Sequence, residues 1–271
     1  MEHAILVVKL GGSEGIEFDS FARDVASIVR SGRPVVVVHG GSHATSTLAE
    51  RLGHPPTFIT SPSGHTSRRT DRRTLEILQM ACRGVVNQGL VERLQREGVN
   101  ALGVSGMDGR IWEGTRKDVV RSVEEGRIRL IRDDYTGTID RVNAPLLHAL
   151  LNLGLTPVIS PPAISVGNEP INVDADRAAA RTAAALGAEE LLLLSNVPGL
   201  LREYPDTSSL VGRVARSEIE AAARWAQGRM KKKVLGAGEA LAEGVRRVVI
   251  ADARRVEPVT RALAGEGTVF Q

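Results

Sequence analysis

The feature that most constrains this chain is a set of apolar runs of strand length: AILVVKL at 4–10, PVVVV at 34–38, TPVIS at 156–160 and ELLLL at 190–194. A strand with one wet face alternates apolar and polar side chains. A run without that alternation needs cover on both faces. Segments with helical patterning separate these runs, at 18–30, 43–52, 74–97, 145–153, 176–186, 229–242 and 258–263. Strand–helix alternation of this kind predicts an α/β protein with a mostly parallel sheet sandwiched between helices. Shorter strands are expected at 100–104, 247–251 and 267–270. The stretch 110–131 reads differently, as short alternating pieces flanking Glu125-Gly126 that predict an antiparallel hairpin. Pro161-Pro162 and the segment 167–170 mark a boundary between lobes at 1–165 and 166–271.

Bulk properties exclude several classes. At 271 residues the chain can bury a sizeable core without staples, and its single cysteine, Cys82, excludes an intramolecular disulfide. The N-terminal apolar run is too short for a membrane span and follows an acidic Glu2, so a soluble cytoplasmic protein is expected, with no membrane partner. A net charge of +3 and only 3% aromatic residues argue against a nucleic-acid partner. The five lysines, Lys9, Lys117 and Lys231 to Lys233, are conspicuous because arginine supplies the remaining 30 of the 35 basic residues.

The polar motifs fall where strands end, which is where open α/β sheets bind ligands. Lys9-Leu10-Gly11-Gly12-Ser13 closes the first strand. A lysine there either snorkels to solvent or meets an anion, with the glycines letting backbone amides approach it. His39-Gly40-Gly41-Ser42 follows the second strand, as a plain turn with a Ser42 cap or as an anion site at a helix start. Ser67-Arg68-Arg69-Thr70-Asp71-Arg72-Arg73 opens a helix; most of its arginines suit a solvated face, and one turned inward suffices to hold a carboxylate. Asn172-Val173-Asp174-Ala175-Asp176 precedes an alanine-rich helix and reads equally as an N-cap box or as a set of polar groups for lysines and substrate. Gly228-Arg229-Met230-Lys231-Lys232-Lys233-Val234 puts cations at the unfavourable end of a helix dipole, which an anion such as a nucleotide phosphate offsets. Ser195-Asn196-Val197-Pro198-Gly199-Leu200 is a strand-end loop where adenine or ribose fits. No GxxxxGK[ST] or GxGxxG occurs.

Taken in order along the chain, KLGG, HGG, SRRTD, NVDAD, LSNVPGL and GRMKKKV resemble the amino-acid-kinase superfamily, and within it the acetylglutamate-kinase-like group. The resemblance implies a three-layer αβα sandwich, with the acyl substrate in the N-terminal lobe and ATP in the C-terminal one. It implies that Lys9 and Lys233 stabilise phosphoryl transfer, that Asp176 holds both, and that Gly11 and Gly12 face the transferring phosphate. Gly40, Gly41, Ser42, Arg68 and Asn172 match substrate contacts. Ser195, Asn196, Val197, Gly199, Leu200 and Met230 match the nucleotide site. Such a transfer joins two anions, so catalysis consists of positioning and charge neutralisation, with Mg²⁺ arriving on ATP and no metal site in the protein.

Some details resemble the kinases of the carrier-protein lysine route rather than free acetylglutamate kinases: HGGS in place of a third glycine, GRMKKKV, the segment 53–60, and the segment 134–138. That resemblance implies a substrate of 2-aminoadipate joined through its amino group to the C-terminal glutamate of a small acidic carrier protein, with carrier-linked glutamate of arginine synthesis as a further substrate. Arg69, Arg72, Arg73, Lys117, Arg121, Arg127 and Arg129 are then candidate carrier contacts, and a homodimer is expected. N-acetylglutamate kinase is the alternative, and a nonenzymatic metabolite sensor of the same fold is a third reading that intact Lys9, Asp176 and Lys233 disfavour.

Overall fold

The computed structural model describes residues 4–12, 15–62, 64, 66–124 and 126–271; Glu2, Ser13 and Glu125 of the motifs above lie outside the described residues. In chain order the elements begin β1 (Leu6–Leu10), α1 (Phe18–Arg30), β2 (Val35–His39), α2 (Ser42–Arg51), β3 (Phe58–Thr60), β4 (Thr66–Arg68) and α3 (Arg72–Gln79). A π-helical segment, Met80–Asn87, continues α3 directly into α4 (Gln88–Arg96). Then come β5 (Ala101–Ser105), β6 (Trp112–Arg116), β7 (Val120–Glu124), β8 (Arg127–Ile131), β9 (Gly137–Val142), α5 (Ala144–Asn152), β10 (Thr156–Ser160), β11 (Ala163–Ser165) and β12 (Pro170–Ile171). The chain ends with α6 (Ala175–Ala185), β13 (Glu190–Ser195), β14 (Arg213–Val214), α7 (Ile219–Ala223), α8 (Met230–Ala242), β15 (Arg247–Asp252), α9 (Pro258–Leu263) and β16 (Thr268–Phe270).

An eight-stranded sheet in the order β14-β16-β15-β13-β1-β2-β10-β5 runs through the whole molecule. Its pairings are parallel except that of β15 with β16. The apolar runs occupy its centre because only there are both faces covered. On one face Val7, Val36, Val38 and Leu193 pack toward α6 and α8; on the other Leu6, Val8, Val37 and Leu192 pack toward α1, α4 and α9. The sheet passes the expected lobe boundary without a break, since β1 pairs with β13 in register from Leu6↔Glu190 to Leu10↔Leu194. Asp24 on α1 is buried and accepts hydrogen bonds from Val259 N (2.6 Å), Thr260 N (3.0 Å) and Thr260 Oγ1, capping α9 from the other half of the chain.

Two small antiparallel hairpins, β3–β4 and β7–β8, and a four-stranded sheet β12-β11-β6-β9 are separate from the eight-stranded sheet, and the four-stranded one packs Trp112, Ala163 and Ile171 into the same core. The β7–β8 pair is the hairpin expected around residue 125. The 74–97 region, expected as one or two helices, is one unbroken rod with a π-helical middle. No described helix is long and apolar enough to cross a membrane.

Candidate active site

The carboxyl ends of β1, β2 and β13 meet the N-termini of α2, α6 and α8. At this junction Lys9 Nζ lies 2.7 Å from Asp176 Oδ1, and Lys233 Nζ lies 2.8 Å from Asp176 Oδ2. All three are buried. Asp176 reaches this place because Asp174 caps α6, accepting from the backbone N–H groups of Asp176 (3.0 Å) and Arg177 (3.1 Å). In the NVDAD segment Asp174 thus takes the N-cap part and Asp176 the contacts to the two lysines. α6 already begins at Ala175, so Asp176 lies in its first turn. Burial alone would raise the Asp176 carboxyl, but Lys233 and Lys9 hold it well below the usual carboxylate range. Burial and Lys9 both push the Lys233 ammonium down, against the pull of Asp176. One carboxylate thus keeps two cations at a strand end, leaving an excess positive charge aimed at whatever binds there. The three-lysine run resolves accordingly: Lys233 is inward, Lys232 sits 3.4 Å from Asp174, and Lys231 is exposed.

The glycine loops divide their labour differently from the expectation. The Gly11 N–H donates to Leu194 O at 2.9 Å, extending the sheet ladder, so Gly11 has no amide to offer an anion. Gly40 likewise donates to Leu10 O (3.4 Å) and its carbonyl accepts from His39 Nδ1 (2.9 Å). The amides of Gly12, Gly41 and Ser42 have no protein partner among the described residues, and these carry the anion-binding capacity. A Cβ on Gly12 would lie 2.9 Å from the Gly40–Gly41 backbone, and one on Gly41 would lie 2.5 Å from Cys82 Sγ. The two loops are glycine because they touch each other and the π-helical segment.

Arg68 is the arginine that turns inward. Its Nη2 donates to Ser42 O (3.0 Å) and Ser46 Oγ (2.7 Å), and its guanidinium lies 5.3 Å from the Phe58 ring centroid, its cross-strand partner in the β3–β4 hairpin. Its Nη1 is buried without a hydrogen-bond partner. Burial and then the charge of Arg229 lower the Arg68 pKa. Beside it lies a cavity of about 280 Å³ lined from one side by Gly12, Ser42, Ser46 and Phe58 and from the other by Asn196 and Arg229. The arginine loop is anchored by buried Asp134, which accepts from Thr70 N (2.9 Å) and Thr136 N (2.8 Å). Asn172 Nδ2 donates to Thr70 Oγ1 at 2.9 Å, so Asn172 braces this loop.

Other expected residues fall elsewhere. Leu200 is fully buried in the core and its N–H donates to Thr268 Oγ1 (2.8 Å), while a Cβ on Gly199 would lie 2.6 Å from that same oxygen. Both serve packing, which corrects their reading as nucleotide contacts. Asn196 is exposed on the cavity and Ser195 ends β13, followed by half-buried Val197, while half-buried Met230 starts α8. Of the carrier candidates, Arg69 pairs with Asp133 (2.7 Å), Arg72 and Arg73 with Glu76 (3.2 and 3.4 Å), and Arg129 with Glu124 (3.0 Å). Lys117, Arg121 and Arg127 are exposed, with no ion pair among the described residues. They sit on or beside the outer hairpin, away from the buried centre.

Sequence reasoning missed the layer beneath the HGGS loop. Asn87, fully buried at the end of the π-helical segment, donates to His39 Nε2 (2.9 Å) and to Val158 O (2.9 Å) and accepts from Arg83 Nη1 (2.6 Å). An Nε2 that accepts leaves the proton on Nδ1, which donates to Gly40 O. Burial, with help from Lys9 and Arg83, lowers the His39 pKa to about 4, so the ring is neutral. Burial pushes the Cys82 thiol up to about 12, so it behaves as an inert packing group.

This constellation, a carboxylate holding two lysines beside two glycine loops on a shared parallel sheet, defines a phosphoryl-transfer class of α/β protein. Residues 4–252 match the amino acid kinase family, and the chain belongs to that family. It is 58% identical over 265 residues (98% of this chain, 91% of the relative) to a LysW-aminoadipate kinase of Deinococcus radiodurans. It is 54% identical over 269 residues (98% and 100%) to one of Thermus thermophilus. Among solved structures it resembles N-acetylglutamate synthase from Neisseria gonorrhoeae in complex with coenzyme A and N-acetyl-glutamate, at 25% identity and a TM-score of 0.79, over 98% of this chain and 59% of that one. Giardia lamblia carbamate kinase bound to AMP-PNP shares the fold alone, at 15% identity and a TM-score of 0.68 over 99% and 98%.

Proposed function

We propose that this protein transfers the γ-phosphoryl group of ATP to the distal carboxylate of 2-aminoadipate carried on a small acidic amino-group carrier protein, giving an acyl phosphate. The observation that carries the reading is the buried Lys9–Asp176–Lys233 centre beside the free amides of Gly12, Gly41 and Ser42. The near-full-length relatives named for the carrier-linked substrate select among carboxylate kinases.

The residues divide the work as follows. MgATP lies over the C-terminal half, near Ser195 and Asn196 at the end of β13. Lys233 neutralises the transferring phosphoryl from that side, and Lys9 from the other. The glycine-loop amides bind its oxygens where charge develops, so the donors need no reorganisation. Arg68 takes the α-carboxylate of the aminoadipate on its unpaired Nη1 edge, turning the distal carboxylate toward Gly12. That carboxylate is ionised near neutral pH and attacks without a general base. Carrier-linked glutamate is a second substrate to test.

The test is an ATP-dependent assay with hydroxylamine trapping of the acyl phosphate, run on carrier-linked aminoadipate, carrier-linked glutamate and free N-acetylglutamate. Hydroxamate formed on the carrier, at a kcat/KM at least about a hundredfold above that for the free acid, is the expected result. Preference for free N-acetylglutamate identifies an acetylglutamate kinase instead, and ATP binding without any hydroxamate identifies a sensor.

A further inference from the structure

Arg229 has no place in the reading above. It immediately precedes α8, is exposed, and makes no ion pair or hydrogen bond among the described residues. It nonetheless lines the 280 Å³ cavity together with Ser46 and Phe58, two side chains that hold Arg68. Two cations therefore gather at one cavity, Arg229 in its lining and Arg68 behind Ser46 and Phe58, the second with a buried unpaired Nη1. With no described carboxylate between them, this arrangement is repulsive and is relieved by an anion.

Which anion follows from position. Lys233 is four residues beyond Arg229 on α8, one turn deeper on the same face. Arg229 shares the cavity lining with Ser42, Ser46 and Phe58, the residues that hold Arg68, and its charge bears on Arg68. That neighbourhood puts Arg229 at the substrate end of the cavity. The chemistry of the proposed substrate offers an anion for it. A C-terminal glutamate has two carboxyl groups; the amide to aminoadipate uses one and leaves the other free. The substrate end then bears three carboxylates: the reacting one, the aminoadipate α-carboxylate, and this spare one next to the linkage. A free N-acetyl amino acid has no third.

Resting on the carrier-linked reading, we propose that Arg229 is a substrate-binding residue that takes the spare carboxylate of the carrier's terminal glutamate, so that Arg68 and Arg229 together read two carboxylates on either side of the amide bond. Arginine suits this task because its planar fork matches a carboxylate bidentately, which a lysine cannot do. The clamp also separates the carrier-linked substrate from a small acyl amino acid inside the cavity, independently of any outer docking face.

The test uses the carrier loaded with aminoadipate in two forms, with the spare carboxyl free or converted to the primary amide by semisynthesis. Wild-type enzyme is expected to favour the free form in kcat/KM by roughly tenfold to a hundredfold, the range for a charged hydrogen-bonded pair. Arg229→Ala and Arg229→Gln should collapse that ratio to below about threefold, with Arg229→Lys intermediate and the KM for ATP moved less than about twofold in all three. Because the residue is exposed, a folded variant is expected, checked by an unchanged melting temperature. A wild-type ratio near one, or a ratio that survives Arg229→Ala, overturns the clamp. A tenfold rise in the KM for ATP with the ratio intact also overturns it, assigning Arg229 to the nucleotide. Wild-type enzyme inert on both carrier forms but active on free N-acetylglutamate overturns the functional reading itself, and the clamp with it.

Discussion

The molecule bears two polar regions built on opposite principles. The floor beneath the glycine loops is buried and saturated: Lys9 and Lys233 share Asp176, and His39, Asn87 and Arg83 form a chain of hydrogen bonds against Val158 O. The rim, made by the β3–β4 and β7–β8 hairpins and the start of α3, is exposed and arginine-rich, and its ion pairs are solvated. The floor draws its strength from low dielectric, where a removed partner strands a group that water cannot reach. The rim draws its from long-range charge, where any one pair contributes little and salt weakens all of them. The same residue type thus means different things in the two places.

The largest effect expected is at the floor's centre. Lys9→Ala and Lys233→Ala should each lower kcat by on the order of 10²-fold or more with smaller changes in the KM for ATP, because each removes charge neutralisation at the transferring phosphoryl. Asp176→Ala should do the same and also destabilise the fold by about 3–5 kcal/mol, since it leaves two buried ammonium groups with no counter-charge. Lys231→Ala, in solvent, should behave nearly as wild type. Steady-state kinetics and thermal denaturation of the four variants check this; a near-normal kcat in Lys9→Ala or Lys233→Ala removes that lysine from the mechanism.

The next effect concerns the layer beneath HGGS. His39 is neutral with its pKa lowered to about 4 from the ordinary 6.5. The unfolded chain therefore binds its proton first as pH falls, so stability present above about pH 6.5 is lost on the way down to about pH 4. The loss amounts to up to about 3 kcal/mol. His39→Gln should flatten that segment of the stability–pH curve, measured by urea unfolding at half-unit intervals. Asn87→Leu should cost about 1–3 kcal/mol near neutral pH by leaving the Val158 carbonyl and Arg83 short of partners. A wild-type curve that is level between pH 6.5 and 4 would show that the ring is not held neutral by this layer.

The site's legibility in the sequence follows the same division. Lys9, Asp176 and Lys233 are readable through their family motifs: a lysine ending a buried strand and cations at a helix start raise the need for an anion, and the resemblance supplies Asp176 and picks Lys233 from its run. The parallel sheet is readable because apolar runs without alternation admit few other placements. Asn87 is not, because a π-helical turn shifts every later residue on the rod relative to a 3.6-residue period, and no local signal announces the shift. The use of the Gly11 amide in the sheet ladder is equally hidden, since it depends on where Leu194 O falls across the pairing of β1 with β13. At the rim, arginines are easy to count and hard to weigh: whether Arg69 meets Asp133 is decided by a contact spanning 64 residues.

The smallest effect expected is at that rim, and it discriminates most sharply between the two kinds of region. Arg127 on β8 is exposed beside Ile128 and Leu130, which are themselves 58% and 57% exposed, so the hairpin offers an acidic partner both charge and apolar surface. Arg72, four residues before Glu76, is exposed at the start of α3. Reversing both, Arg72→Glu with Arg127→Glu, should lower kcat/KM on the carrier-linked substrate roughly tenfold at low salt, chiefly through slower association. The deficit should shrink toward physiological ionic strength, where exposed charges are screened beyond about 8 Å. Neither residue lies near the Lys9–Asp176–Lys233 centre, so kcat on a saturating substrate and the KM for ATP should hold. Arg72→Glu also sets a like charge beside Glu76, which costs a few tenths of a kcal/mol in α3 and should appear only as a small shift in melting temperature. A loss that is the same at every salt concentration would mean that the reversal has disturbed the fold rather than the docking field. Full activity at low salt would move the carrier's footprint off this face, toward the β3–β4 hairpin and the cavity mouth that it overhangs.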